Sequence, residues 1–251
     1  MPNWCSNFLN ISVETKEQLD QVTQKLGESL TFDSMYPTPD ILKKIDSRNR
    51  NDATFYCWNT LVNTGLTTDA SVFYLQRLKN GMVDTRNGKT IPLETYLKEE
   101  FSDIPSDVQQ QFLKEVQEEL GKPVSTLSEA VTGILEAGDG FVFSNDWHNL
   151  HWGTKWDIEP TSFDENSDTS LTVYFETAWA PPENFLKYAS QQLPDAEFEL
   201  TYCEPGNDVY GRMHFKNGEV REDDVAQEEI MEFFGFADEE EEDDGTSRPV
   251  A

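Results

Sequence analysis

Basic residues are scarce in this chain. Nineteen Lys and Arg stand against forty-eight Asp and Glu in 251 residues, a net charge of −29. Binding nucleic acid by counterion release needs a basic footprint, so direct nucleic-acid binding is not expected. The acidity is not confined to the end of the chain. Residues 219–251 hold 14 acids and 2 bases, which leaves −17 on the other 218 residues. Cysteine is also rare. Cys5, Cys57 and Cys203 are odd in number and none lies in a CxxC spacing. That argues against a disulfide framework and a cysteine-ligated cluster, and for buried free thiols. No apolar run reaches the roughly 18–20 residues that a membrane span needs. The first residues carry no basic stretch followed by an apolar one, so no signal peptide is expected. These absences predict a soluble, cytoplasmic protein without membrane contact. Gly138-Asp139-Gly140 lacks the longer glycine pattern and the Lys of a phosphate loop. No Ser or Cys sits in a nucleophile motif. No cofactor is expected.

Tryptophan, by contrast, is well used. Four of the six Trp fall in short polar-flanked motifs. These are Pro2-Asn3-Trp4-Cys5-Ser6-Asn7, Trp152-Gly153-Thr154-Lys155-Trp156-Asp157 and Thr177-Ala178-Trp179-Ala180-Pro181-Pro182. Around them the hydrophobic pattern is legible. Asn7, Leu9, Ile11 and Val13 alternate with polar positions and predict a half-buried strand. Thr15 with Gln18 predicts a capping box, followed by a helix through Leu19, Val22 and Leu26 that stops at Gly27. Residues 30–36 read as a short extended run. From about 41 to 138 the pattern is helical. Helices are expected over 53–62, 69–78, 92–101, 106–120 and 126–137, with an Asn87-Gly88 hairpin between. Strand signals return at 141–144 and 150–158, as one bent strand or a hairpin, and are clearest at 171–179. Pro181-Pro182 opens a further helix. Strands follow at 198–202 and 209–216, a tight turn at Asn217-Gly218, and a short helix at 225–234. Seven consecutive acids, 238–244, predict a disordered tail.

Without the helical block, the order is that of a split βαβ, ferredoxin-like α+β sandwich. The expected domains are 1–42 with 139–220 as the sandwich, 43–138 as a mainly helical insertion, 221–236 as a short terminal helix and 237–251 as the acidic tail.

The opening Met-Pro-Asn-Trp-Cys-Ser-Asn, the Trp152–Asp157 motif, the Phe-Glu-Thr-Ala-Trp-Ala-Pro-Pro junction and the late Tyr-Cys-Glu-Pro-Gly turn followed by Gly211 resemble the YubB-type ferredoxin-like domain proteins of bacteriophages and conjugative plasmids. The likeness covers about 1–42 and 140–220. It implies a mobile-element protein made in a bacterial host, in the host cytoplasm, and implies no activity. The helical block and the acidic tail are additional to it, and His151 stands where the family usually has Asn.

Several side chains are candidates for function. Trp4 and Trp179 stand at strand ends. Lys155 and Asp157 would share one strand face, with Trp152 and Trp156 turned inward. Lys155 either pairs with a carboxylate such as Asp157 or Glu176, or receives an anion with Arg212 as second contact. Glu176 and Glu204 could pair as two carboxylates. Removal of Met1 would expose the secondary amine of Pro2, a weak catalytic candidate whose alternative is simply to lead into the strand. His148 and His151, three apart on a strand, would face opposite ways, so no metal site is expected. Two functions remain open. One is a noncatalytic interaction protein whose acidity steers it to a host or competing-element protein with a basic surface. The other is a small-ligand binder or small enzyme built on the strand-end Trp residues, Lys155 and Pro2.

Overall fold

The computed structural model describes residues 3–27, 29–47, 54–63, 82–83 and 90–236. The expected helix at 69–78, the Asn87-Gly88 turn, Pro2 and the acidic tail lie outside the described residues. The chain divides into two compact units: residues 1–30, 158–181 and 186–251 form one, and 31–157 with 182–185 the other.

In chain order, the first unit begins with β1 (Trp4–Ser12), α1 (Lys16–Leu26) and β2 (Ser29–Leu30). The second contains α2 (Phe32–Met35), α3 (Asp40–Asp46), α4 (Phe55–Asn63), the β3 (Met82–Val83) and β4 (Thr90–Ile91) pair, α5 (Leu93–Glu100), α6 (Ser106–Leu120), α7 (Leu127–Ala137) and α8 (Ser144–His151). The first unit resumes with β5 (Thr161–Ser162), β6 (Asp164–Ser167) and β7 (Ser170–Ala178). Helix α9 (Glu183–Gln192), β8 (Glu197–Glu204), β9 (Val209–Lys216), β10 (Glu219–Glu222) and α10 (Gln227–Phe233) follow.

The sheet of the first unit has the order β10-β9-β8-β1-β7-β6, and every pairing in it is antiparallel. Its β6-β7-β1-β8 part, with α1 and α9 as the two connections, is the ferredoxin-like arrangement, so the chain is α+β. Alternation decides which face is buried. Cys5, Asn7, Leu9 and Ile11 of β1, Val173 and Phe175 of β7, Leu200 of β8 and Met213 of β9 point into the core. Leu19, Val22 and Leu26 of α1 complete one side of it. Both reciprocal bonds of the Thr15–Gln18 capping box form, and Gly27 ends the helix at φ 84°.

The opposite face of the sheet carries Trp4, Ser6, Phe8, Tyr174, Glu176, Cys203, Arg212 and His214. Part of it is covered by α10, which packs on β8 and β9. Ile230 is fully buried there, Met231 Sδ lies 3.5 Å from Cys203 Sγ, and Phe233 meets Phe8 edge to face at 5.4 Å.

In the second unit α6 and α5 pack on α7. Trp58, Phe101 and Phe112 form one aromatic centre, with Trp58–Phe112 centroids 4.9 Å apart. A second centre joins Phe32, Trp147, Trp152 and Phe185.

Two sequence expectations are corrected here. Residues 144–151 are helix α8, and 152–158 carry no strand. Gly153, at φ 85°, stands just past that helix, and its N–H donates to the His148 carbonyl. It is thus a helix stop rather than part of a strand. Residues 32–35 are a helical turn rather than extended chain, because Asp157 caps them from far along the sequence. Its carboxylate accepts from the N–H groups of Phe32 (2.7 Å) and Asp33 (3.1 Å).

Candidate functional site

The end of the sheet where β1 begins and β7 stops gathers two of the expected site residues. Trp4 pairs with Ala178 across the ladder, and the next residue, Trp179, donates its backbone N–H to the Asn3 carbonyl (3.0 Å). Trp4 is 48% exposed and Trp179 46%. Trp179 also holds φ at 74°, a left-handed conformation that costs a non-glycine residue on the order of 1 kcal/mol and persists only where its surroundings impose it.

Those surroundings are a buried polar network. Asn7 is wholly buried, and its amide donates to the Cys5 carbonyl (2.7 Å) and to Thr177 Oγ1 (2.9 Å). Thr177 Oγ1 in turn donates to the Ala180 carbonyl (2.7 Å), closing the turn that carries Trp179. A buried amide without partners would cost about 1–3 kcal/mol, so the satisfied network specifies this turn. On the opposite sheet face, which also carries Trp4, Tyr174 is 51% exposed, and its hydroxyl donates to Ser6 Oγ (3.1 Å). Glu176, opposite Ser6, is exposed.

Glu204 is 2% exposed and serves the turn after β8. Its carboxylate accepts from the Gly206 N–H (2.8 Å) and the Asn207 amide (2.6 Å). The register puts Cys203, not Glu204, on the face of Ser6 and Glu176, so Glu176 and Glu204 stand on opposite faces and form no carboxylate pair. Arg212 lies on the open face, 3.2 Å from Glu229 of α10. Its guanidinium thus ties down the terminal helix. His214, on the same face, is flanked by Asp223 (2.9 Å), Glu197 (3.7 Å) and Glu199 (3.8 Å). The bond from His214 holds the Asp223 carboxyl below the usual range.

Lys155 and Asp157 belong to the second unit. Asp157 is occupied as the cap of α2. Lys155 Nζ lies 5.0 Å from the ring centre of Trp156, which is exposed rather than turned inward, while Trp152 is buried as expected. His148 and His151 sit on helix α8, not on a strand, and both rings are built into the packing. His148 stacks on Trp152 at 3.9 Å with planes 7° apart. Its Nδ1 contacts the Lys155 carbonyl (2.9 Å) and its Nε2 the Thr38 hydroxyl (2.9 Å), which suits a neutral ring donating at one nitrogen and accepting at the other. His151 stacks on Trp147 and bonds Tyr36 Oη through Nδ1 (2.6 Å). Its Nε2 is 3.3 Å from Asp139 but without hydrogen-bond geometry. Burial pushes both histidines below their ordinary pKa. Among the described residues no group of three or more His, Cys, Asp or Glu is placed to hold a metal.

All three cysteines are buried, and burial raises the Cys5 and Cys57 thiols to about 12. A thiol that stays protonated is a poor nucleophile. Concavities of about 350 Å³ (Lys122, Ser128, Glu136), 280 Å³ (Asp40, Lys44, Glu119) and 90 Å³ (Gln18, Val22, Leu193) are lined by none of the candidate residues. No described helix is long and apolar enough to cross a membrane.

Sequence reasoning passed over Asn7, Thr177 and Tyr174. Asn7 in an otherwise apolar inward row was the available signal, since a buried amide demands partners.

Comparison with known proteins bears on the fold. A family model described as the ferredoxin-like domain in Api92-like protein matches residues 152–247. The crystal structure of the protein api92 from Yersinia pseudotuberculosis aligns over 90% of this chain and 99% of its own, at 12% identity and a TM-score of 0.41. No curated protein matches the chain. Residues 152–247 are thus similar to that ferredoxin-like domain, and the sheet order with its two helices is independently of the ferredoxin-like kind.

Proposed function

We propose that the chain is a noncatalytic accessory protein of a mobile element, phage or plasmid, of the YubB type. It acts in the cytoplasm of a bacterial host and binds a host or competing-element protein with a basic surface. A nucleic-acid-handling or defence protein, inhibited by that contact, fits the chemistry best. The observation that carries the reading is the pair of half-exposed indoles, Trp4 and Trp179, the second on a turn closed by a buried hydrogen-bond network, on a chain of net charge −29. Aromatic side chains of this kind anchor protein interfaces, and complementary charge steers the encounter. Three of the other expected site residues have structural partners: Asp157 caps a helical turn, Glu204 holds its own turn and Arg212 pairs with Glu229.

The test is a pull-down from nuclease-treated bacterial lysate with the intact chain and with Trp4→Ala, at low and high salt. A defined basic protein should be retained at low salt, released at high salt and depleted with the variant. Retention that ignores salt would remove the electrostatic half of the proposal. A blank at both salts would favour the small-ligand alternative.

A further inference from the structure

We infer that the open end of the β1–β7 ladder is a docking point for an arginine side chain of the partner protein, its guanidinium lying on the Trp4 indole and paired with the Glu176 carboxylate. This rests on the reading that the partner is basic, and it names the group recognised and where.

The register supplies the geometry. Trp4 is opposite Ala178 and Ser6 is opposite Glu176, so Trp4 and Glu176 are diagonal neighbours on one face of the sheet. Diagonal neighbours in an antiparallel pair stand about 7–8 Å apart, within reach of an aromatic and a long side chain. Both are exposed. Neither β1 nor β7 contains a Lys or Arg, so the two strands present aromatic and acidic groups without a basic one. Tyr174, two residues before Glu176, is half exposed, with its hydroxyl held by Ser6 and its ring 6.4 Å from that of Phe234, and bounds the site on that side. Trp179, fixed at φ 74° by the Asn7–Thr177–Ala180 network, borders the same strand end.

An aromatic face next to a carboxylate complements a guanidinium, which is planar, weakly hydrated and always charged. It can stack on the ring while its N–H groups meet both carboxylate oxygens. A lysine ammonium is a compact, strongly hydrated point charge and uses the flat indole less well. Nucleic-acid bases could also stack on an indole, but Glu176 and the net −29 oppose the phosphates that come with them.

The experiment titrates the intact chain, with ¹⁵N-labelled Trp side chains, against a short Arg-Gly repeat peptide. Its citrulline-Gly and Lys-Gly counterparts and a single-stranded oligonucleotide serve as comparisons, at low and high salt. The Trp4 indole N–H resonance should shift saturably with the arginine peptide and stay in place with the citrulline peptide. Trp4→Ala (read on the Trp179 resonance) and Glu176→Gln should each weaken binding about three- to tenfold, in keeping with a cation–π contact or one exposed ion pair. Both substitutions fall on exposed side chains, and unchanged spectra elsewhere verify the fold. Undiminished arginine-peptide binding by both variants would overturn this docking point and leave the basic-partner reading standing. Equal binding of the lysine peptide at Trp4, or a Trp4 shift with the oligonucleotide, would overturn recognition of a guanidinium. Failure of every basic peptide to bind at low salt would overturn the basic-partner reading itself.

Discussion

Trp152 and Trp156 stand four residues apart in one motif, and only one of them holds the structure together. Trp152 is 1% exposed. Its ring stacks on His148, meets Phe32 and Trp147 edge to face at 5.6 and 5.7 Å, and donates its Nε1–H to the Tyr36 carbonyl (3.0 Å). Truncating a buried Trp to Ala costs about 3–5 kcal/mol through lost burial and the cavity left behind. Leaving the Tyr36 carbonyl without that donor adds about 1 kcal/mol. Trp152→Ala should therefore destabilise the chain by about 4–6 kcal/mol. Trp152→Phe, which refills much of the volume but cannot donate, should lose roughly half of that. Trp156→Ala is the control. That indole is exposed and meets Lys155 at cation–π distance, so its removal should cost under about 1 kcal/mol. Urea unfolding followed by far-ultraviolet circular dichroism reads all three, with transition slopes checked for constancy. A loss below about 1.5 kcal/mol for Trp152→Ala, or equal losses at 152 and 156, would refute the reasoning.

Two further outcomes follow from the buried polar groups. His148 and His151 are held neutral by burial, with pKa values below the ordinary one. The stability this contributes is fully present above the unfolded-state pKa of about 6.5 and is lost as pH falls from there through the lower folded-state values. The urea midpoint should thus drop as pH is lowered from neutrality toward this window's acid end. A His148→Gln, His151→Gln double variant with just as steep a drop would contradict this assignment. Asn7→Ala should cost about 2 kcal/mol by breaking two buried hydrogen bonds. It should also release the Trp179 turn, seen as broadening of the Trp179 indole resonance. A sharp, unshifted Trp179 signal would show that the network does not hold the turn.

Much of the sandwich was legible because its signals are local. Alternation along 7–13 and 171–179, the Thr15–Gln18 capping box and the Asn217-Gly218 turn each encode their structure within a few residues. The 106–120 helix needed only its own apolar stripe and Gly121, which sits in the left-handed region at its end. The stretch 150–158 reads as strand in the sequence because its aromatic residues carry no clear period and Gly153 does not announce itself as a helix stop. The turn at 32–35 could not be read at all, since its cap, Asp157, lies more than a hundred residues away.

The sequence by itself therefore determined the net charge, the strand and helix periods, and the ferredoxin-like order, because these depend on composition and near neighbours. The tertiary structure alone decided the rest. It decided that Asp157 is a cap, that Glu204 and Glu176 face opposite ways, that Arg212 ties down the terminal helix, and that Trp4 and Glu176 share a face. The role of a polar side chain is set by which partners reach it through space, and a linear pattern does not contain that distance.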